Sequence, residues 1–325
     1  MTKKVLVIPD VHGRLFWKEP VAKYMDEVDR VVFLGDYLDP YGGETGLADD
    51  IYENLMEIME LKRNNREKVV LLKGNHDQHY ASKLFDQLAG GSRQDLEKWN
   101  TYHRTFNENR DLFKIAHREE VNGKTYVFTH AGLTLYWLKK VNDRVWKLPD
   151  HQVSIADPDI IERINQLDDD GIGQEMLGIV GRRRSWFGEK TGSVLWADIQ
   201  EHDIDEAPKA YGLNKVFQVF GHTRLNEGYD KIEFDHLAMI DSRQAFVVEG
   251  REPHPSPPKG MGEATPNPSM RRGTFEEGGR TKEEGEMIRG VWNVECGVRI
   301  PLRLRYVIPM LRYLVITTSR ASDLA

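Results

Sequence analysis

The sequence predicts an α/β fold whose N-terminal end is a largely parallel sheet, and three recurring features carry that prediction. Short aliphatic runs return at Val5-Leu-Val-Ile8, Val31-Val-Phe-Leu34 and Val69-Val-Leu-Leu72. Continuous apolar runs without polar alternation are what strands buried on both faces require. Each run ends in a polar cluster: Asp10-Val-His12-Gly13, Gly35-Asp36, and Gly74-Asn75-His76-Asp77. Between the second and third runs, residues 47–61 place Ile51, Leu55, Ile58 and Met59 at helical spacing. A β-α-β-α-β order makes the strands parallel. In such sheets functional groups collect beyond the carboxyl ends of the strands, where all three clusters lie.

Further strands are predicted at 125–128, running into Thr129-His130-Ala131-Gly132, and at 216–220, running into Gly221-His222-Thr223. Residues 237–240 and 245–248 read as a closing hairpin. The span from about 80 to 115 is polar and helical, and 133–190 mixes short helices with a basic loop, Gly181-Arg-Arg-Arg-Ser185. Both read as insertions on the functional side of the sheet, where loops carry specificity.

Composition changes near Gly250. Prolines 253, 255, 257, 258, 266 and 268 lead into a stretch rich in Gly, Glu, Lys and Arg that ends near residue 290. This predicts a disordered linker, because it holds too little apolar surface to offset the entropy of ordering. From 291 apolar content returns without a clean period. The sequence therefore predicts a domain over 1–250, followed by a linker and appendage over 251–325. That appendage reads as dispensable; a docking element for a partner is the alternative.

The composition as a whole, 39% hydrophobic and 30% charged over 325 residues, is that of an ordinary globular protein. The formal net charge of −7 argues against generic nucleic-acid binding, which demands a basic surface. Cys296 is the sole cysteine, which excludes an intramolecular disulfide and fits a reducing compartment. The first apolar run, Val5 to Ile8, is too short for a signal peptide. The best candidate span, 301–318, is interrupted by Arg303, Arg305, Pro309 and Arg312. No membrane association is expected, and the location is read as cytoplasmic.

Chemistry concentrates at the strand ends, which supply Asp10, His12, Asp36, Asn75, His130 and His222. Any one of these has an ordinary explanation: a lone histidine is usually hydrogen-bonded to its surroundings, and an aspartate after a strand is usually a helix cap. Six oxygen and nitrogen donors at successive strand ends would need six separate accidents. Such a mixed set suits divalent Mn, Fe or Zn better than Mg or Ca.

Taken together, Asp10-x-His12-Gly13, Gly35-Asp36-x-x-Asp39 and Gly74-Asn75-His76-Asp77, followed by His130 and Gly221-His222, resemble the calcineurin-like metallophosphoesterase signature over roughly residues 3–250. Thr129-His-Ala-Gly-Leu133 and Ser193-Val-Leu-Trp-Ala-Asp198 resemble segments of the phosphoprotein phosphatase branch. Phe220-Gly-His-Thr223 is similar to the last metal motif of bacterial members, including the symmetric diadenosine tetraphosphatases.

The resemblance implies a four-layer α/β/β/α sandwich with a disordered C-terminal extension. It also implies two divalent metal ions and attack on phosphorus by a metal-bridging hydroxide. Asp10 and His12 would hold the first metal, Asp36 would bridge, and Asn75, His130 and His222 would hold the second. His76 would protonate the leaving oxygen. Asp39 would orient His76 and keep it cationic, with Asp77 as the competing partner.

Two departures bear on the substrate. Arg224 stands where nucleases and many diesterases of the superfamily carry a second histidine. Pro40 stands where the phosphatase branch usually carries a phosphate-binding arginine, so another guanidinium must hold a monoester dianion. The candidates are Arg14, Arg182, Arg183, Arg184 and Arg224, with a solvated basic loop as the other reading of the triplet. Trp186 and Trp196 read as packing residues rather than substrate stackers.

The expected activity is hydrolysis of phosphate monoesters on protein serine or threonine or on small molecules. A phosphodiesterase or nucleotide and dinucleoside polyphosphate hydrolase on the same core is the alternative. A binding scaffold that had lost its metals should show broken ligand positions, and none is broken.

Overall fold

A computed structural model describes residues 4–43, 45–89, 93–121, 123–169, 171–202 and 210–223, and the backbone of 231–234, 237–240, 249–250 and 314–318. The first half of the chain runs β1 (Lys4–Ile8), α1 (Lys18–Tyr24), β2 (Arg30–Phe33), α2 (Ile51–Asn64), β3 (Val69–Leu72), α3 (Asn75–Ala81), α4 (Lys83–Ala89) and α5 (Trp99–Glu108). It continues with β4 (Phe113–Lys114), β5 (Ala116–Val121), β6 (Lys124–Thr129), α6 (Leu135–Val141), α7 (Pro158–Gln166), α8 (Gly171–Leu177) and β7 (Val216–Phe220). Four further strands are β8 (Lys231–Phe234), β9 (Leu237–Ile240), β10 (Glu249–Gly250) and β11 (Leu314–Thr318).

The aliphatic runs become strands buried on both faces, and their alternation builds two cores. In β1, β2 and β3, the side chains of Leu6, Ile8, Val31, Phe33, Val69 and Leu71 meet Val21, Leu55, Ile58, Met59, Tyr102 and Phe106 from α1, α2 and α5. The alternate residues Val5, Val7, Val32, Leu34, Val70 and Leu72 meet Val121, Tyr126, Phe128 and Val219 of a second sheet. The far side of that sheet packs on α6, α7 and α8 through Trp137, Leu138, Ile160, Ile164, Met176 and Leu177. Helices, sheet, sheet and helices make the four layers, and each fully buried aliphatic contributes about 1.5–3 kcal/mol.

The first sheet has the order β10-β11-β1-β2-β3-β4, with β1 through β4 parallel. The second has the order β5-β6-β7-β9-β8, with β6 and β7 parallel. The helix expected from residue 47 starts instead at Ile51. Leu47 forms a β-bridge to Arg14 and Asp50 takes the cap, accepting from the backbone N–H groups of Tyr52 and Glu53.

Several segments differ from the sequence-based expectation. The 80–115 span does more than overlie the site: Tyr102, Phe106, Leu112 and Phe113 belong to the first core, and β4 extends the first sheet. The 133–190 span supplies the outer helical layer. Strand β5 went unrecognised because His117, Arg118, Glu119 and Glu120 give it a polar sequence. The Asn122-Gly123 dipeptide between β5 and its antiparallel partner β6 is the hairpin signal that marks it. Glu119 is nevertheless buried, and it accepts from Arg30 Nε of β2 at 2.8 Å, joining the two sheets.

The hairpin expected at 237–248 is built differently: β9 pairs antiparallel with the preceding β8 and parallel with β7, while 245–248 lies outside the described residues. The expected linker at 251–290 also lies outside them. Beyond residue 250, β11 pairs antiparallel with β1, in the register Lys4↔Thr317 to Val7↔Leu314. Among the described residues no helix is long and apolar enough to cross a membrane.

One buried ion pair couples the strand ends to the outer helices. Lys73, after β3, bonds to Asp168 between α7 and α8, which also accepts from Gln78 Nε2 at 2.6 Å. Burial raises the Asp168 pKa, but Lys73, Gln78 and Gln174 outweigh it and hold the carboxyl below its usual range. Lys73→Met should therefore cost about 3 kcal/mol in denaturant unfolding, and adding Asp168→Asn should recover part of that loss. Because the folded pKa is depressed, the Asp168 contribution is complete above the unfolded value of about 4 and disappears as pH falls through the folded value. Wild-type and Asp168→Asn stabilities should converge in acid; curves that stay parallel would contradict this.

Candidate metal centre

Five parallel strands from both sheets end on one side of the molecule. Asp10 follows β1, Asp36 follows β2, Asn75 follows β3, His130 follows β6 and His222 follows β7. With His12, these six side chains are all at most 9% exposed. The turns that aim them are strained. Of the seven non-glycine residues with positive φ among the described residues, five lie here: His12 (+46°), Asp36 (+53°), Asp39 (+58°), Arg93 (+65°) and His222 (+68°). Such backbone persists only where surrounding contacts over-determine it.

Those contacts converge on Asp77. Its carboxylate accepts from the backbone N–H groups of Asp36 at 2.7 Å, Tyr37 at 2.8 Å and Gly74 at 2.8 Å. Asp36 in turn accepts at Oδ1 from His76 N at 3.0 Å. No side chain fits at two neighbouring glycines. A Cβ on Gly74 would lie 2.1 Å from Asp36 Oδ1, and one on Gly221 would lie 2.4 Å from Asp10 Oδ1.

The donor atoms form two groups that share Asp36: Asp10, His12 and Asp36, and then Asp36, His130 and His222, each with its atoms within 4.8 Å of one another. His12 Nδ1 lies 2.9 Å from Leu38 O, and His130 Nδ1 lies 2.9 Å from Leu34 O. A carbonyl only accepts, so both Nδ1 atoms carry the proton and both Nε2 lone pairs turn inward, the tautomer of a metal ligand. Asp36 Oδ2 is 3.4 Å from each of these Nε2 atoms. Asn75 Oδ1 is 3.1 Å, and His222 Nδ1 2.9 Å, from His130 Nε2.

Acceptors thus face acceptors among buried side chains. Burial pushes the pKa of His12 and His222 well down, helped by neighbouring cationic groups. Burial also pushes Asp36 up, and Asp10 and Asp39 add to it. Neutral imidazoles and crowded carboxylates are both stabilised by a bound cation. The donor set fits two divalent ions with Asp36 common to both.

Beside this cluster, His76 packs its ring edge-on against His12, with centroids 5.2 Å apart. Its Nδ1 is 2.8 Å from Asp39 Oδ2, and Tyr80 Oη donates to Asp39 Oδ1 at 2.6 Å. Asp77, the alternative partner, is occupied by backbone. Burial raises Asp39 to about 7 despite the Tyr80 hydrogen bond. It also lowers His76 to about 4, with Asp36 opposing and Arg93 assisting. Desolvation is the largest influence on the His76 ring, and Asp39 meets that ring at Nδ1.

The five candidate arginines fall in different places. Arg14 is buried, with its guanidinium turned to the carbonyls of Val11 and Asp10. Arg182 acts on Tyr136 and Glu189, away from the cluster. Arg183 donates its backbone N–H to Glu201 at 2.9 Å. Arg184 reaches the His222 end, donating to Thr223 Oγ1 at 2.7 Å and pairing with Asp198 at 3.1 Å. Arg224 lies outside the described residues. Trp196 packs at the site, edge-on to His79 and His222 at 5.9 Å, whereas Trp186 is 94% exposed rather than packed.

Sequence reasoning missed Arg93, Tyr41 and Tyr80. Arg93 Nη2 lies 3.0 Å from His76 Nε2, its Nε donates to Asp39 O at 3.3 Å, and its guanidinium sits 3.5 Å over the Tyr41 ring. The available signal was the sequence Gly90-Gly-Ser-Arg93, a glycine-rich break carrying a cation between two helical segments.

The family model for calcineurin-like phosphoesterases matches residues 3–223. Among solved structures, the phosphatase domain of the Legionella effector WipB has a TM-score of 0.44 at 12% identity, covering 69% of this chain and 100% of that one. A novel archaeal phosphodiesterase has a TM-score of 0.25 at 12% identity, covering 73% and 82%. Yfce, a phosphoesterase from E. coli, has 0.24 at 17%, covering 40% and 59%. No curated protein matches the sequence.

A carboxylate shared by two ligand groups makes a quantitative prediction. Metal-stripped wild-type protein titrated with Mn²⁺ should take up about two equivalents, because one carboxylate can serve both ions. Asp36→Asn should retain at most one after dialysis, read by elemental analysis. A variant that still holds two would remove Asp36 from the shared position.

Proposed function

The chain belongs to the calcineurin-like phosphoesterase family, and from that premise we propose that it hydrolyses phosphate monoesters, on protein serine or threonine or on small molecules, with two Mn, Fe or Zn ions. The observation that carries the reading is the pair of ligand groups sharing Asp36, with the His76 ring, bonded to Asp39, centred 5.2 Å from the His12 ring.

Asp10 and His12 would hold one ion, Asn75, His130 and His222 the other, and Asp36 both. Bound there, the two cations supply Lewis acidity to the phosphoryl oxygens and lower the pKa of water. The remaining work falls to the chain. His76 presents Nε2 to the oxygen that leaves phosphorus and, when protonated on both ring nitrogens, gives it the Nε2 proton and is left neutral. Asp39 accepts from Nδ1 and so fixes the ring plane, and Tyr80 fixes Asp39. Arg184 adds positive charge at the His222 end, which favours a dianion over a singly charged diester. Trp196 excludes water from one wall.

The test is an assay with Mn²⁺ on para-nitrophenyl phosphate, its bis ester, a phosphopeptide, a dinucleoside polyphosphate and an alkyl phosphate. Turnover should favour the monoesters and stop in chelator; turnover that survives chelation would falsify the mechanism. Faster cleavage of the bis ester or the dinucleotide would replace the monoester assignment with the diesterase one. His76→Ala should lose about 10²–10⁴-fold in kcat on the alkyl ester and much less on the nitrophenyl ester, whose leaving group needs little protonation. Equal losses on both would remove His76 from the acid role.

A further inference from the structure

We propose that Arg93, from the loop between α4 and α5, grips the nonbridging oxygens of the substrate phosphate and so supplies the guanidinium that Pro40 withholds. The inference rests on the phosphomonoesterase reading above and assigns it a specificity residue.

Four observations carry it. A monoester dianion needs a fork of donors beside the leaving oxygen, and the residue after Asp39 is a proline, which offers none. Arg93 puts its guanidinium at that end of the site: Nη2 is 3.0 Å from His76 Nε2, and Nε is 3.3 Å from the Asp39 carbonyl, next to Pro40 itself.

Its charge is also uncommitted. Among the described residues Arg93 pairs with no carboxylate, only with a carbonyl, an imidazole nitrogen and the face of Tyr41. Arg184 is instead partly neutralised by Asp198, and Arg14 is spent on backbone carbonyls. Finally, the position is held at φ +65°, in the same strained class as His12, Asp36, Asp39 and His222.

The contact with His76 Nε2 also cannot persist during turnover. That nitrogen must face the leaving oxygen, so the guanidinium has to move off it as the ester enters. The nearest new acceptors are the oxygens on the same phosphorus. Tyr41, which stacks under Arg93 and stands edge-on to His12 at 5.1 Å, keeps the side chain over the site as it moves. A fork bound to two nonbridging oxygens favours the dianion, because esterifying one of them removes both an acceptor and a charge.

The experiment compares wild type, Arg93→Ala and Arg93→Lys, each loaded with Mn²⁺. Binding of inorganic phosphate is measured by calorimetry, and turnover on para-nitrophenyl phosphate and its bis ester is measured alongside. Metal content and melting temperature are recorded for each. Arg93→Ala should weaken phosphate binding and raise the monoester KM by about 10–100-fold, the scale of a charged bidentate hydrogen bond. The bis ester should change by less than about 3-fold, so selectivity collapses. Arg93→Lys keeps the charge but loses the fork and should fall between, which keeps the test decisive if the alanine variant is unstable.

Unchanged phosphate affinity and selectivity in both variants would overturn the proposal. So would a loss confined to kcat, which would mean that Arg93 serves only to hold His76. A wild-type protein that neither binds phosphate nor cleaves either ester would instead overturn the phosphoesterase reading on which this one stands.

Discussion

The Asp77 carboxylate ties the ends of β2 and β3 together, and the rest of the site hangs from that tie. It is fully buried and takes three backbone N–H groups, from Asp36, Tyr37 and Gly74. Burial and then the nearby Asp36 charge push its pKa well above the usual carboxylate value, and the hydrogen bonds from Gly74 and Tyr37 oppose them. The tie fixes the left-handed backbone at Asp36, which turns that carboxylate toward both histidine groups. It also occupies Asp77, so that Asp39 alone is left to meet His76. A chain with a neutral residue at 77 would keep its ligands but lose the turn that aims them.

The same economy explains why so much cost is concentrated in one place. Six buried candidate ligands, several with burial-shifted pKa values, and four strained backbone positions at His12, Asp36, Asp39 and His222 all cost stability that a bound cation would offset in part. The cost is offset by two aliphatic cores on either face of β1–β3 and by the outer helices around Trp137. Stability is supplied by apolar layers, and the polar ends of those layers are left to carry chemistry. The Lys73–Asp168 pair and the Arg30–Glu119 pair add charged links between layers that meet largely through apolar surface.

Specificity in such a design belongs to segments that leave the sheets and return over their ends. Arg184 arrives at the His222 end on the loop that begins at Gly181, and Arg93 arrives at the His76 end on the loop after α4. Neither loop is free-standing. The first is laced to Glu201, which accepts from the backbone of Arg183 and Gly192. The second is followed by Asp95, whose backbone N–H donates to Tyr80 Oη, the same hydroxyl that donates to Asp39. A guanidinium on each side of the candidate metal centre therefore sits on backbone that is itself tied down by hydrogen bonds, to Glu201 on one side and to Tyr80 on the other.

The sequence by itself determined β1, β2, β3, β6 and β7, the parallel order of the first three and the six candidate ligands, because these rest on local signals. Aliphatic runs such as Val69-Val-Leu-Leu72 bury both faces wherever they sit, and a polar residue at the carboxyl end of such a run emerges at the sheet edge. Tertiary structure alone decided which polar group meets which. Asp39 and Asp77 are equally good partners for His76 on paper, and the choice follows from Asp77 being claimed by two strand-end loops about 40 residues apart in sequence. Arg93 was illegible for the same reason: an arginine after two glycines has no local reason to reach a histidine 17 residues earlier. The charged state of His76 was likewise not readable, since it depends on how completely distant segments exclude water from the ring. Strand β5 was hidden because edge pairing is specified by the partner strand's open hydrogen bonds rather than by apolar periodicity of its own, and β11 because its partner β1 lies about 310 residues away in sequence.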